Sequence, residues 1–325
     1  MAQGSLRIEA VAEDWPLARA FVISRGAKTQ ARVIVAHVSD GTHIGRGEAV
    51  PYARYGESVD DALEQIRACT ARDRTTLAAT MPPGAARNAL DCAFWDLEAK
   101  CQGIPAHTLA GTRPVMAVET AYTLSLDAAE AMAREARLAA NLNLLKLKLG
   151  AEGDADRMRA VRSARPDARL IVDANEGWST DELQGLMEVA AEMGVELIEQ
   201  PLPAGADEIL ARLHRPVPVC ADESALTSED IEKLVGRYDA VNIKLDKAGG
   251  LTAALEMQAA ARQKNFKIMI GSMVATSLAV APALLLAGDA DWVDLDGPLL
   301  LARDRPDGLV IRDGWIHPAS SGLWG

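Results

Sequence analysis

Short apolar runs in this sequence keep ending on charged residues. Asp173 closes LIVD, Glu199 closes VELIE, Asp222 closes VPVCAD, and Lys244 follows VNI. A charge at the close of a buried strand is costly unless something compensates it. Three carboxylates on consecutive strands repel one another unless a cation joins them, and oxygen ligands of this kind suit Mg²⁺. Lys146 and Lys148 lie two apart, so on a strand both point to one face. With Asp173, Glu199 and Asp222 between them, Lys148 and Lys244 would flank a bound substrate from opposite sides. That arrangement suits proton transfer at the carbon next to a metal-held carboxylate. One lysine, as neutral amine, takes the α-proton; the other, as ammonium, returns one to the opposite face. Burial and nearby cations lower a lysine pKa toward neutrality, and Lys146 and the metal are expected to depress Lys148 in that way. Any one of these acids alone would read as a helix cap. The combination points to chemistry.

The elements that must hold these residues follow a rhythm. Apolar strands are expected over 116–123, 144–149, 169–173, 195–200, 217–222, 240–245, 267–272 and 291–296, with helical patterns between them such as 127–140, 180–193 and 251–263. Taking one residue at each strand end (Thr123, Lys148, Asp173, Glu199, Asp222, Lys244, Ser272, Asp294) gives a step of 22 to 28 residues, the length of one βα unit. Eight such units favour a closed parallel barrel, whose C-terminal strand ends carry the active site. The tail beyond Asp296 reads as hairpins and not as a last helix, so the class is α/β, a (β/α)7β barrel. Ser179 and Glu182 predict a capping box at the start of one helix. The first ~110 residues differ. Segments 5–11, 17–24, 31–38 and 43–49 suggest an antiparallel meander. Leu90, Ala93, Phe94 and Leu97 predict a helix over 84–102 that Gly103 and Pro105 stop. The expected division is an α+β capping domain over 1–112, completed by the tail 299–325, and a barrel domain over 113–298.

Composition narrows the function classes. Acids outnumber bases, 46 to 34, for a net charge of −12, which argues against nucleic acid and anionic membrane as partners. Four cysteines in 325 residues, none in a C-x-x-C pair, make no disulfide framework. The start shows no signal peptide, and the most apolar run, 278–287, is too short to span a bilayer. A cytoplasmic protein acting on a small molecule is expected, and nothing in the sequence speaks against a homo-oligomer. No histidine lies between 215 and 316, so a histidine base on the later strands is excluded. The KAGG stretch at 247–250 lacks the spacing of a nucleotide loop.

The motifs KLK at 146–148, VDAN at 172–175, EQPL at 199–202, ADES at 221–224 and NIKLDKAGG at 242–250, with ARNALDCAFWDLEAK at 86–100, resemble the enolase superfamily in its muconate-lactonizing subgroup. The resemblance covers almost the whole chain. It implies an enolase-like fold, one Mg²⁺ on Asp173, Glu199 and Asp222, the acid/base pair Lys148 and Lys244, and Lys146 assisting with charge. Within the subgroup the chain is similar to dipeptide epimerases. The cue is DLDGP, in which Asp294 and Asp296 resemble the pair that holds a substrate α-ammonium. Two more carboxylates beside the metal trio need a second cation in any case. Arg25 in FVISRG resembles an arginine that binds a glutamate side-chain carboxylate, and Thr123 and Ser272 match positions that touch the dipeptide. The implied reaction is 1,1-proton transfer at the α-carbon of the C-terminal residue, with L-Ala-D-Glu and L-Ala-L-Glu of murein peptide metabolism as substrates. The alternatives are an o-succinylbenzoate synthase or a muconate-type cycloisomerase, and a barrel kept only for binding.

Overall fold

The computed structural model describes residues 6–319 and 322–325. Residue 5 of the expected first strand, and residues 1–5, 320 and 321 of the expected capping domain and its tail, lie outside the described residues.

The chain opens with a three-stranded antiparallel sheet, in the order β1 (Arg7–Ile23), β2 (Gly26–Ser39), β3 (Ile44–Ala49). Sequence patterning suggested four strands here. Segments 5–11 and 17–24 are instead one long strand, with a register shift between Pro16 and Phe21. The shift lets the chain continue past Pro16 and pair Phe21 with Lys28, so the hairpin arm projects beyond the sheet. Against the sheet lies the helix Ala85–Gln102, close to the expected 84–102 and ended by left-handed Gly103. Its approach to β3 is permitted by Gly45 and Gly47, since a Cβ at either would come within 2.0 and 2.1 Å of the carbonyls of Ala93 and Ala89.

The second unit is an eight-stranded parallel sheet: β5 (Tyr122–Leu124), β6 (Leu144–Lys148), β7 (Arg169–Asp173), β8 (Val195–Glu199), β9 (Val219–Ala221), β10 (Ala240–Lys244), β11 (Lys267–Gly271) and β12 (Trp292–Asp294). Every neighbouring pair is parallel. The Ala121 amide donates to the Val293 carbonyl at 2.8 Å, joining the first strand's approach to the last strand and nearly closing the barrel. The expected strand 116–123 is split. Its early part, β4 (Val118–Glu119), pairs instead with the tail hairpin β13 (Ile311–Arg312) and β14 (Trp315–Ile316). The capping box on the helix Thr180–Glu192 is formed by Ser179 and Glu182.

A single apolar cluster fills the barrel below the strand ends. It takes one residue from each strand or its immediate lead-in: Ala121, Leu144, Ile171, Leu197, Cys220, Ala240, Met269 and Trp292. Side chains alternate along a strand, so the next residue facing the interior is two positions on. Those positions hold Thr123, Lys146, Asp173, Glu199, Asp222, Asn242, Gly271 and Asp294. An apolar plug is followed by a polar layer, and Lys148 and Lys244 lie one further step along their strands.

The two units are fastened by buried acids. Asp246 Oδ1 accepts from the Val50 amide at 3.0 Å and from Asn88 Nδ2 at 2.9 Å. Asp91 accepts from the Thr252 amide and hydroxyl. Glu48 accepts from the Thr276 amide and from Arg305. The end of the tail returns to the first unit, where the Gly325 amide donates to Asp96 and Trp324 Nε1 to the Cys92 carbonyl.

Burial pushes the Asp246 carboxyl up to about 7 despite its two hydrogen bonds. The folded state therefore holds a proton that the unfolded chain releases at lower pH. The resulting stability is fully present below the ordinary aspartate range and is lost as pH rises through about 7. Asp246→Asn keeps an acceptor oxygen and removes the titration. In denaturant unfolding it is expected to gain on the wild type between about pH 5 and about pH 8, by a kcal/mol or more at about 1.4 kcal/mol per pKa unit. A constant difference across that range would show that Asp246 does not titrate in the fold.

Candidate active site

The polar layer lies at the floor of a cavity of about 390 Å³ between the barrel mouth and the β1–β2 hairpin. Lys146, Lys148, Asp222, Lys244, Asp294, Asp296, Thr123, Ser272 and Arg25 all line it. Asp173 and Glu199 lie just beneath, with no exposed surface. Every residue singled out from the sequence is therefore in one place. None of the five histidines lines the cavity.

Charges alternate across the floor. Lys146 Nζ stands 2.6 Å from Glu199 Oε2, 2.7 Å from Asp294 Oδ2 and 3.1 Å from Asp173 Oδ2. Lys148 Nζ is 2.5 Å from Asp173 Oδ2. Four strands away, Lys244 Nζ is 2.7 Å from Asp222 Oδ2 and 3.9 Å from Glu199 Oε1. Gly271 beside it makes room, since a Cβ there would meet Asn242 Oδ1 at 2.6 Å.

Burial dominates the protonation of this floor, and the neighbours decide its direction. Burial and Asp173 push Glu199 up to about 7. Burial also acts against the Asp173 charge, but Lys148 and Lys146 outweigh it and hold the carboxyl below the usual range. Asp222 is likewise depressed, by Lys244 and Lys247 against burial. Among the acids alone Lys244 is held charged: burial works to lower it, yet Asp222 and Glu199 more than reverse this and hold the ammonium well above the ordinary range. Lys146 is raised in the same way by Asp294, Glu199 and Asp173. Burial of a cation among acids stabilises its charge, where burial alone would remove it.

Asp296 lies at the same end as Asp294. Its Oδ2 accepts from the Thr123 amide at 2.7 Å, and burial and Asp294 push it up to about 7. Asp294 Oδ1 is buried with no hydrogen-bond partner among the described residues. An unpartnered carboxylate oxygen beside a second acid is a place for a cationic group.

The hairpin tip closes the other side. Arg25 donates to the Asn175 carbonyl at 2.9 Å and to Glu223 Oε1 at 2.8 Å, and Ser24 Oγ donates to the Asn175 carbonyl. Arg25 is half-buried, with Glu176 3.2 Å away. Asn175 and Glu176 after β7, and Gln200 after β8, have positive φ, a backbone that costs roughly 1–3 kcal/mol at a non-glycine residue. Gln200 helps to fix the next strand end by accepting from the Asp222 and Ser224 amides.

Several residues escaped the sequence reading. Lys247 is wholly buried, 2.6 Å from Asp222 Oδ1 and donating to the Asn242 carbonyl. Asn242 Nδ2 donates to Glu199 Oε1 at 2.8 Å. Asn242 carried a signal, being two positions before Lys244 on one strand face. Glu223 did too, as the neighbour of Asp222. Lys247 carried none that period or spacing could have revealed.

The comparisons agree with this architecture along the chain. A family profile described as mandelate racemase / muconate lactonizing enzyme, N-terminal domain, matches residues 5–111. One described as enolase C-terminal domain-like matches residues 127–323. An N-acetyl-D-glutamate racemase of Pseudoalteromonas sp is 46% identical over 301 residues, covering 90% of this chain and 95% of that one. The L-Ala-D/L-Glu epimerase of Escherichia coli (strain K12) is 43% identical over 312 residues, covering 94% and 97%. A crystal structure from Agrobacterium tumefaciens, an enolase family member with homology to dipeptide epimerases holding sodium and L-Ala-L-Glu, superposes with a TM-score of 0.96 at 48% identity, covering 98% of this chain and 100% of that one. With the capping sheet and the barrel each matched in turn, and relatives aligned over nearly their full length, this chain belongs to the enolase superfamily.

Proposed function

We propose that the chain is an isomerase that epimerises dipeptides at the α-carbon of the C-terminal residue, with L-Ala-D-Glu and L-Ala-L-Glu as substrates. The observation that carries the reading is the pairing of two features in one cavity. Lys148 and Lys244 stand four strands apart, and Asp294 presents an unpartnered buried oxygen. The first feature suits proton transfer to either face. The second suits the free ammonium of a dipeptide.

Asp173, Glu199 and Asp222 fit Mg²⁺. They offer only oxygen, come from adjacent strands, and lie so deep and so close together that burial and the Asp173 charge push Glu199 up to about 7. Bound there, Mg²⁺ would stabilise negative charge developing on the substrate carboxylate. The chain's own residues do the rest. Lys148 Nζ takes or gives the proton on one face of the α-carbon, and Lys244 Nζ on the other. One proton leaves carbon for one amine, one arrives from the opposite ammonium, and exchange with solvent restores both. Lys146 balances the acids without touching the reacting carbon. Asp294 and Asp296 hold the ammonium, while Thr123 and Ser272 line the dipeptide's path. Arg25 receives the glutamate side-chain carboxylate in competition with Glu223. The reaction belongs to murein peptide turnover in the cytoplasm, a compartment that suits four free cysteines. Among the described residues no helix is long and apolar enough to cross a membrane.

A second reading is favoured by the 46% identical relative, which is an N-acetyl-D-glutamate racemase. It shares the proton transfer, but the acyl group of its substrate ends in a plain methyl where the dipeptide carries an ammonium. The cycloisomerase and o-succinylbenzoate readings leave the Asp294 oxygen equally without use.

In deuterated water with Mg²⁺, both L-Ala-L-Glu and L-Ala-D-Glu are expected to take up one deuteron at the glutamate α-carbon, and chelation should stop the uptake. Lys148→Ala and Lys244→Ala should each lower epimerisation by about 10³-fold, while each retains exchange of a different isomer. Full epimerisation by either variant would remove the assignment. Asp296→Asn should cost the dipeptide about 10²-fold in kcat/KM and spare N-acetylglutamate. Equal losses on both substrates, or wild-type activity confined to N-acetylglutamate, would select the second reading. Arg25→Met should raise KM for L-Ala-L-Glu by about tenfold or more and leave L-Ala-L-Leu nearly unchanged. An equal effect on both would show that Arg25 only holds the loop.

A further inference from the structure

A second group of ligand-type side chains lies on the capping unit, outside the barrel cavity. Asp40 follows β2, His43 precedes β3, and Cys101 is in the last turn of the helix Ala85–Gln102. Cys101 Sγ is 3.2 Å from Asp40 Oδ2 and 3.7 Å from His43 Nδ1. His43 Nδ1 is 3.6 Å from Asp40 Oδ2. The three atoms form a nearly equilateral triangle. Tetrahedral Zn²⁺, with bonds of about 2.3 Å to sulfur and about 2.1 Å to nitrogen and oxygen, spaces its ligand atoms roughly 3.4–3.6 Å apart. The triangle therefore has the size of one face of that tetrahedron.

The neighbours keep these atoms available. Asp40 Oδ1 accepts the Thr42 and His43 amides, both at 2.7 Å, which turns Oδ2 toward the thiol. Lys100, adjacent to Cys101 in sequence, donates to Asp96 and to the Ile44 carbonyl. Its ammonium is therefore paired with Asp96 and not with Asp40. One thiol, one imidazole and one carboxylate form a mixed donor set that suits zinc, whereas Mg²⁺ asks for oxygen alone. The barrel site and this cluster would therefore sort two metals by ligand softness.

We propose that Asp40, His43 and Cys101 bind a zinc ion at the surface of the capping unit, with the fourth position open to water. The ion ties the β2–β3 turn to the end of the helix packed beneath it, a link across about 60 residues of chain. Binding releases the thiol proton. The site does not depend on which substrate the barrel takes.

The test uses the full chain, reduced and kept under excess Mg²⁺ to occupy the barrel carboxylates, and titrated with Co²⁺ as a spectroscopic stand-in. About one equivalent should bind with a thiolate-to-cobalt charge-transfer band in the near ultraviolet, and Zn²⁺ should displace it. Cys101→Ser should abolish the band, and His43→Ala should weaken Co²⁺ binding at least about tenfold. Zn²⁺ should raise the Tm of the wild type and leave that of Cys101→Ser unchanged. Cys101→Ser changes an exposed side chain, and its unaltered Tm without zinc confirms folding. Binding without a thiolate band, or a band that persists in Cys101→Ser, would overturn the proposal. The first would mean cobalt on carboxylates alone, the second a different thiol.

Discussion

The buried ammonium of Lys146 governs the rest of this molecule. It stands within 3.1 Å of carboxylates from three strands, with no surface of consequence of its own. Removing one partner from such a cluster costs roughly 3–5 kcal/mol, because the others are left buried and uncompensated. The cluster can exist only if strand ends from different parts of the barrel are fixed to a fraction of an ångström. The apolar plug beneath supplies that precision. One residue from each of eight strands packs into a single cluster. Alternation then delivers Lys146, Asp173, Glu199, Asp222 and Asp294 two residues later. Packing sets the register, and register sets the electrostatics.

The roof follows from the same floor. Asn175, Glu176 and Gln200 leave their strands with positive φ immediately beyond Asp173 and Glu199. Backbone so bent needs outside support. Arg25 and Ser24 supply it from the hairpin tip by donating to the Asn175 carbonyl, and Arg54 adds a bidentate contact to Glu176. The register shift at Pro16–Phe21 lets β1 extend the hairpin far enough to deliver them. In the proposed reaction Arg25 would serve specificity while also holding the strand-end loop. A substrate carboxylate taken by Arg25 must displace Glu223, whose charge burial already disfavours.

The barrel was legible because each strand is an apolar run closed by a polar group, and the helix 84–102 because its apolar face repeats at helical spacing. The acids and lysines of the site came from the same reading, since strand period and charge together placed Lys146 beside Lys148, whereas Arg25 came from the family resemblance alone. What failed had physical reasons. β1 is an edge strand, paired on one side and largely exposed, so no buried alternation marks its middle and it read as two strands. The stretch 116–123 divides because Thr120 turns its hydroxyl to the Leu295 amide and hands its two ends to different sheets. Lys247 reaches Asp222 because the short helix Leu245–Ala248 bends back under the strand end, which no local pattern announces. The cluster at Asp40, His43 and Cys101 is invisible in sequence for a simpler reason: its members meet only once the helix lies on β3.

The lysine charges bear on how such a site can work at all. Lys244 cannot accept a proton while Asp222 and Glu199 hold it as an ammonium. Burial pulls the other way throughout and would take over if those oxygens were committed elsewhere. A divalent cation held by Asp173, Glu199 and Asp222, as proposed, would commit them. The same acids that oppose a neutral Lys244 in the free protein would cease to oppose it in the loaded one. Lys146 differs, because Asp294 lies outside the trio and continues to hold its charge. Two buried lysines so close in environment are thus separated by one carboxylate, and that difference suits the first to transfer protons and the second to remain a fixed positive charge.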